Sequence, residues 1–309
     1  MGTGPDYERR RIVALIAGLA VVVVGLVVIL SVGGGGGETT PAEAEAPSRP
    51  ELPGGGRTIF PEHLVVAFYG APGADELGEL GIGSPASAGE RLLEQAKEFE
   101  TPGVKVLPAM ELIAEIAHRD PGPEGTYNGR VDDSVIRRYL RAARKVGAIL
   151  ILDIQPGHAS FFAEAQRFEK WLREPDVSLA LDPEWHTPGA VPGTVIGTVD
   201  AREVNAVSFW LEDLVVKHDL PQKLLVVHRF TAEMITGEEQ LKPRERVAVT
   251  VNVDGFGGRE IKIAKYKEFA HRHSGLHNGF KLFYREDVDL LEPERVLRMK
   301  PRPELVVYE

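Results

Sequence analysis

Residues 177–186 read VSLALDPEWH, an apolar run that ends abruptly in two carboxylates, an indole and an imidazole. A five-residue apolar run bounded by charge and proline predicts a buried β-strand. Because side chains alternate along a strand, Asp182 and Glu184 face the same side if the extended conformation continues. Two carboxylates at the carboxyl end of a strand favour acid/base chemistry in an α/β barrel. The alternative interpretation is a simple Asp-Pro turn in which Asp182 caps a local amide.

The rest of the chain alternates between strand-like and helix-like segments from about residue 59 onward. Apolar runs predict eight strands, at residues 64–68, 104–108, 148–154, 177–181, 223–228, 247–253, 280–284 and 304–308. Helical patterns lie between several of them, at residues 86–99, 132–146, 160–173, 202–217 and 260–271. This order is typical of the α/β class and of a (β/α)8 TIM-type barrel. A doubly wound open sheet is the main alternative, but no G-x-G-x-x-G follows the first strand.

The composition excludes several classes of function. The 309 residues carry a formal net charge of -10, and no stripe of Lys and Arg is present, which argues against nucleic acid as a partner. The chain contains no cysteine, so disulfides, thiolate metal sites and a cysteine nucleophile are excluded.

The N-terminal part divides by composition into three segments. Residues 12–32 are apolar or small and long enough to form one transmembrane helix. Three arginines precede this run and no basic residue follows it until Arg49, so residues 1–11 are predicted to be cytoplasmic. A cleaved signal peptide is the competing interpretation. Residues 33–57, rich in Gly and Pro, predict a flexible linker, which would place a barrel domain at residues 58–309 on the extracytoplasmic side of the cell membrane.

Polar and aromatic residues follow the predicted strands at the edge where such barrels carry their active sites. The candidate catalytic residues are Glu184, Asp182, Asp153 and Asp254. The candidate substrate-binding residues are Trp185, His186, Gln155, His158, His228, Arg229, Tyr284 and Arg285. Structural roles are the alternative for several of them, because Asp commonly caps helices and a histidine on an apolar strand is often a hydrogen-bonded core residue.

The Asp-x-Glu sequence that closes the fourth predicted strand, in a protein expected to be exported, resembles glycoside hydrolases of family 18 (chitinase-like) and family 25 (lysozyme-like). In those families the Glu is the proton donor, and the Asp positions or stabilises the reaction at the sugar. The resemblance therefore implies that Glu184 is the general acid and Asp182 its partner. It covers this motif and its strand, since Val177 and Ala180 stand where the chitinase pattern has further carboxylates.

Three functions fit these residues. The first, which we expect, is hydrolysis of a cell-envelope carbohydrate by carboxylate acid/base catalysis, with no cofactor and no metal ion. Desolvation beside Trp185 would then raise the pKa of Glu184. The second is a metal-dependent hydrolase that uses Zn or Mn, with ligands drawn from Asp153, Asp182, Glu184, His186, His228 and Asp254. The third is a catalytically inactive barrel that binds envelope glycans or a partner protein.

Overall fold

The computed structural model describes residues 49–271 and 275–309. The predicted cytoplasmic segment at 1–11, the predicted transmembrane helix at 12–32 and most of the predicted linker lie outside the described residues. Within the described ranges, no helix is long and apolar enough to cross a membrane. Arg49–Glu309 forms one compact unit.

The strands are numbered in chain order, and most of them belong to one sheet. They are β1 (His63–Gly70), β2 (Lys105–Ala117), β3 (Asn128–Arg130), β4 (Ile149–Ile154), β5 (Val177–Leu181), β6 (Val199–Asp200), β7 (Lys223–Arg229), β8 (Ile235–Thr236), β9 (Val247–Val253), β10 (His277–Leu282) and β11 (Leu305–Tyr308). Hydrogen-bonded neighbours follow the order β1, β11, β10, β9, β7, β5, β4, β2, and β2 pairs again with β1. All of these pairs are parallel. The eight-stranded parallel barrel is therefore confirmed.

The helices lie between the barrel strands, as the sequence predicts. They are α1 (Pro85–Lys97), α2 (Asp133–Lys145), α3 (Phe161–Arg167), α4 (Glu169–Leu172), α5 (Ala201–Lys217), α6 (Arg259–Phe269) and α7 (Pro293–Leu297). Side-chain caps begin α1, α2, α3 and α5; before α2, for example, the side chain of Asp132 accepts the amide of Ser134. The single helix expected at 160–173 is divided at Phe168 into α3 and α4.

The barrel interior is filled by alternate residues of each strand. Val65 and Ala67 of β1 pack there against Ile149 and Ile151 of β4, while the other face of each strand packs on the helices. At the carboxyl ends the inward positions change from apolar to polar, and this alternation sets which side chains meet at the barrel mouth. The inward-facing residues at or directly after the ends of six strands are Tyr69, Asp153, Asp182, His228, Lys281 and Glu309, and Glu111 faces inward on β2 beneath the inward-facing Ile113.

A short N-terminal segment packs at the opposite end of the barrel, where the strands begin. Leu52 and Ile59 are buried with the interior cluster. The Nη2 atom of Arg57 donates a hydrogen bond of 2.9 Å to the backbone oxygen of Asp219. Gln222, next to the start of β7, accepts the amide of Ile59 at 2.8 Å. Residues 49–57, which composition assigns to the linker, thus pack on the barrel.

Candidate active site

A cavity of about 340 Å³ opens at the carboxyl ends of the barrel strands. Its size is suited to a small ligand or to part of a larger one. Carboxylates, amines and aromatic rings all reach this cavity. The lining residues are Asp182, Glu184, Asp254, Glu309, Lys265, Lys281, Tyr69, Trp185, Phe230, Phe256, Phe283, Leu77, Ile113, Gln155 and Gly255.

Asp182 and Glu184 reach the cavity through a turn and not through a longer strand. The chain leaves the extended conformation after Leu181, and Pro183–Trp185 forms one turn of 3-10 helix. An oxygen of Asp182 accepts the amide of Glu184 at 3.3 Å, so Asp182 caps this turn. The capping interpretation of the Asp-Pro pair therefore holds, and both carboxylates still line the cavity.

Both of these carboxyl groups keep their protons to a higher pH than they would in water. Burial raises the pKa of Asp182 well above its ordinary value, and the negative charge of Asp153 raises it further. Burial likewise raises the pKa of Glu184, and the negative charge of Asp254 adds to the effect. A carboxyl group that keeps its proton in a cavity can donate it to a bound ligand.

The pKa of Asp254 is displaced in the opposite direction. Asp254 lies directly after β9, where its two oxygens lie 3.0 Å from His228 Nδ1 and 2.9 Å from the amide of Gly255, which donates to it. Nζ of Lys281 lies 3.5 Å from the same carboxylate. Burial opposes ionisation here, but Lys281 and His228 hold the pKa of Asp254 below its ordinary range. Asp254 therefore ionises more readily than Glu184, which lines the same cavity.

Lys281 supplies a buried positive charge at the cavity floor. Its Nζ atom lies 2.6 Å from an oxygen of Glu309 and 3.6 Å from the centre of the Tyr69 ring. Burial would lower the pKa of Lys281, but Asp254 and Glu309 outweigh it and raise the pKa. The charge of Lys281 is thus balanced by two carboxylates on neighbouring strands.

Asp153 lies beneath the cavity, fully buried. The Tyr69 hydroxyl donates a hydrogen bond of 3.1 Å to Asp153 Oδ2, and within the described part of the chain no group forms a hydrogen bond with Asp153 Oδ1. Burial raises the pKa of Asp153 to about 6, with the negative charge of Glu111 adding to the effect and His228 opposing it. Asp153 does not line the cavity, but it accepts a hydrogen bond from Tyr69, which does.

The same buried layer contains the one group of possible metal ligands in the described residues. Oxygen or nitrogen atoms of Glu111, Asp153 and His228 lie within 4.8 Å of one another. Both ring nitrogens of His228 already contact carboxylates, so a metal ion would have to replace the His228–Glu111 contact. The group includes Asp153 and His228 from the expected ligand set, but not Asp182 or Glu184. It therefore fits a cation buried below the cavity better than one that meets a ligand.

Two predicted binding histidines lie outside the cavity. His158 makes a 2.7 Å hydrogen bond to the backbone oxygen of Ala190, and its ring packs on Tyr127. His186 bonds to the backbone oxygen of Thr198, and its ring packs on Phe161. Both histidines fix the loop that follows β5.

Three further predicted residues also lie elsewhere. Arg229 points outward from β7, pairs with Glu238 and lies 4.1 Å over the ring of Phe269. Tyr284 bonds to a side chain of α1 and stacks on Tyr308. Arg285 lines a separate small cavity with Tyr284.

Several cavity residues were not among the sequence candidates. Lys281 of β10 lines the cavity and Glu111 of β2 lies beneath it, and a charged residue among the apolar residues of a strand is a signal of a buried polar site that the sequence does contain. Tyr69 is the last inward-facing residue of β1, and Glu309 directly follows β11. The phenylalanines at 230, 256 and 283 have no local pattern that marks them as cavity residues.

Comparison with known proteins gives a distant structural similarity. No protein-family model matches the chain, and no curated protein matches it. Among solved structures, the chain is similar to the GH18 chitinase ChiB from the chitin utilization locus of Flavobacterium johnsoniae, with a TM-score of 0.40 and 9% sequence identity. The similarity covers 80% of this chain and 87% of the chitinase chain.

Proposed function

We propose that the protein is a glycoside hydrolase that acts on a cell-envelope carbohydrate, with Glu184 as the general acid. The observation that carries this proposal is that Glu184 and Asp254 line one cavity at the carboxyl ends of the barrel strands. Burial raises the pKa of Glu184, whereas Lys281 and His228 overcome the effect of burial and lower the pKa of Asp254. In most glycoside hydrolases one carboxylic acid and one ionised carboxylate flank the bond that is broken.

The roles follow from these protonation states. Glu184 protonates the oxygen of the leaving sugar. Asp254 stabilises the positive charge that develops at the anomeric carbon, or directs a water molecule to it. Asp182 remains uncharged beneath the turn, where its contact with the Glu184 amide fixes the position of the acid.

Aromatic rings in the cavity support a sugar as the ligand. Trp185 follows the proposed acid directly, and Phe256 is an exposed ring, 64% accessible, on the cavity rim. Apolar faces of sugar rings stack on such side chains. The predicted anchor at residues 12–32 would hold the barrel outside the membrane, within reach of envelope glycans.

The test is hydrolysis of a panel of envelope glycans by the full chain, beside Glu184→Gln and Asp254→Asn. We expect turnover that EDTA does not change and that each variant lowers by about 10²-fold or more. The configuration of the first-formed product, followed by NMR, then assigns Asp254 as nucleophile or as base. Binding without turnover would favour the inactive module, and activity lost on chelation and restored by Zn or Mn would favour the metal-dependent hydrolase.

A further inference from the structure

Lys265 places a second amine at the cavity, and it differs from Lys281 in having no partner of opposite charge. It lies on α6 and lines the cavity. Among residues 49–271 and 275–309, no carboxylate oxygen lies within ion-pair distance of its Nζ atom, whereas Lys281 and Lys262 both pair with carboxylates. Its Nζ atom lies 5.7 Å from the centroid of the Phe230 ring.

The ammonium group of Lys265 lies against the cavity wall at Gly255. A side-chain carbon added at Gly255 would lie 2.8 Å from Lys265 Nζ and 3.2 Å from Cβ of Phe230. The amine therefore lies directly over the backbone of Gly255, next to Asp254 in sequence. Gly255 has a φ of +93°, a conformation that suits glycine, and the absence of a side chain at this position leaves space for the amine.

The two cavity amines differ in their contacts with carboxylates. Lys281 lies in contact with both Asp254 and Glu309. Within residues 49–271 and 275–309, Lys265 forms no ion pair with any of the cavity carboxylates. A half-buried ammonium on an aromatic face, without a carboxylate of the protein, is a site for an anionic group of the ligand.

We infer that the sugar bound in this cavity carries a carboxylate, which pairs with Lys265. This inference rests on the proposed function and names its substrate class as an acidic glycan. A sulfate ester at C6 would offer the same negative charge, but with tetrahedral geometry and farther from the ring.

The test uses matched substrates with the full chain. Chito- and cello-oligosaccharides are each compared with their C6-oxidised forms, which differ by one carboxylate, and with their C6-sulfated forms. We expect a lower KM for a carboxylated form, and Lys265→Gln should raise that KM by about 10-fold or more while changing the KM for neutral sugars less than about 2-fold. Lys265→Arg should retain most of the preference.

Lys267→Gln is the matched control, since this residue lies on the same helix but lines a different cavity. It should leave both KM values unchanged. Equal KM values for neutral and carboxylated sugars, with turnover still dependent on Glu184, would overturn the inference and leave the proposed function intact. A preference for the sulfated form would overturn the carboxylate assignment. Failure to bind or cleave any sugar would overturn both proposals.

Discussion

Nε2 of His228 lies 3.0 Å from an oxygen of Glu111, and Nδ1 of the same ring lies 3.0 Å from an oxygen of Asp254. Glu111 and His228 are almost completely buried. Although burial disfavours a charged imidazole, Glu111 and Asp254 raise the pKa of His228 well above its ordinary value. One imidazolium thus links the buried carboxylate of β2 to the cavity carboxylate that follows β9.

Replacing His228 by Gln should destabilise the fold strongly. The change leaves the carboxylate of Glu111 buried without its positive partner, and removal of one member of a buried ion pair costs about 3–5 kcal/mol. The free energy of unfolding from urea titration measures this loss. The double variant His228→Gln/Glu111→Gln should lose clearly less stability than the sum of the two single losses, because no charge of this pair is then left unpaired.

A surface pair provides the control for this measurement. Lys97 and Glu94 form an exposed ion pair on α1, 2.7 Å apart. Lys97→Gln should cost less than about 1 kcal/mol. Strict additivity of the His228 and Glu111 substitutions would show that the two side chains do not interact as described.

The pH dependence of activity should report the charge of Lys281. In the proposed mechanism, the acid limb of kcat/KM reflects protonation of Asp254, and the basic limb reflects ionisation of Glu184. Lys281 is the largest influence that lowers the pKa of Asp254. Lys281→Met should therefore move the acid limb to higher pH.

Glu309 is the other carboxylate in contact with Lys281, and it offers a comparison. Glu309→Gln removes a negative charge near Glu184, so the basic limb should move to lower pH, because that charge helps to raise the pKa of Glu184. Profiles of the two variants that coincide with the wild-type profile would exclude these charges from the acid/base chemistry.

The sequence predicted the barrel because its strands are short, apolar and separated by helices. Strand β5 has the predicted limits, 177–181, since charge and proline bound it on its carboxyl side. Strand β2 was predicted only at 104–108 but extends to Ala117, because Glu111 and Glu115 interrupt an otherwise apolar run. Their carboxylates are buried by partners distant in sequence, which local patterns do not contain.

The sequence indicated cavity residues where polar side chains come directly or shortly after the end of a strand. Asp182 and Asp254 directly follow β5 and β9 and line the cavity, and Glu184 lines it from the turn after β5, without the extended conformation that alternation assumes. His228 and Arg229 are adjacent on β7, so they face opposite sides, and only His228 points into the barrel. Lys265 comes from a helix, and nothing in the periodicity of that helix distinguishes it from Lys267.

Glu115, a buried carboxyl group on β2, should make the free energy of unfolding depend on pH. Burial, followed by a hydrogen bond to Glu164, raises the pKa of Glu115 from 4.5 to about 9. Between these two values the folded protein binds one more proton at this site than the unfolded chain does. The contribution of Glu115 to the free energy of unfolding therefore decreases as the pH rises through this window.

Glu115→Gln removes this titration while keeping a side chain of similar shape that can donate to Glu164. Relative to wild type, the variant should gain stability as the pH rises from 5 to 8, by at most about 1.4 kcal/mol per pH unit. Urea titrations across this range measure the difference. Glu100→Gln, at an exposed position, is the control and should give a constant difference. A pH-independent difference for Glu115→Gln would mean that Glu115 ionises normally in the folded protein.

The segment that closes the far end of the barrel should affect stability without affecting the site. Leu52 is 4% exposed and packs with the interior cluster, although it lies in a stretch whose composition predicts a linker. Leu52→Ala should cost about 2–5 kcal/mol, because a buried leucine leaves a cavity when it is shortened. Val195→Ala, at a position 50% exposed, should cost less than about 0.5 kcal/mol. At temperatures where both variants are folded, kcat/KM should equal the wild-type value, since stability and chemistry belong to opposite ends of such a barrel. A large loss of kcat/KM in folded Leu52→Ala would mean that the two ends are coupled through the apolar interior.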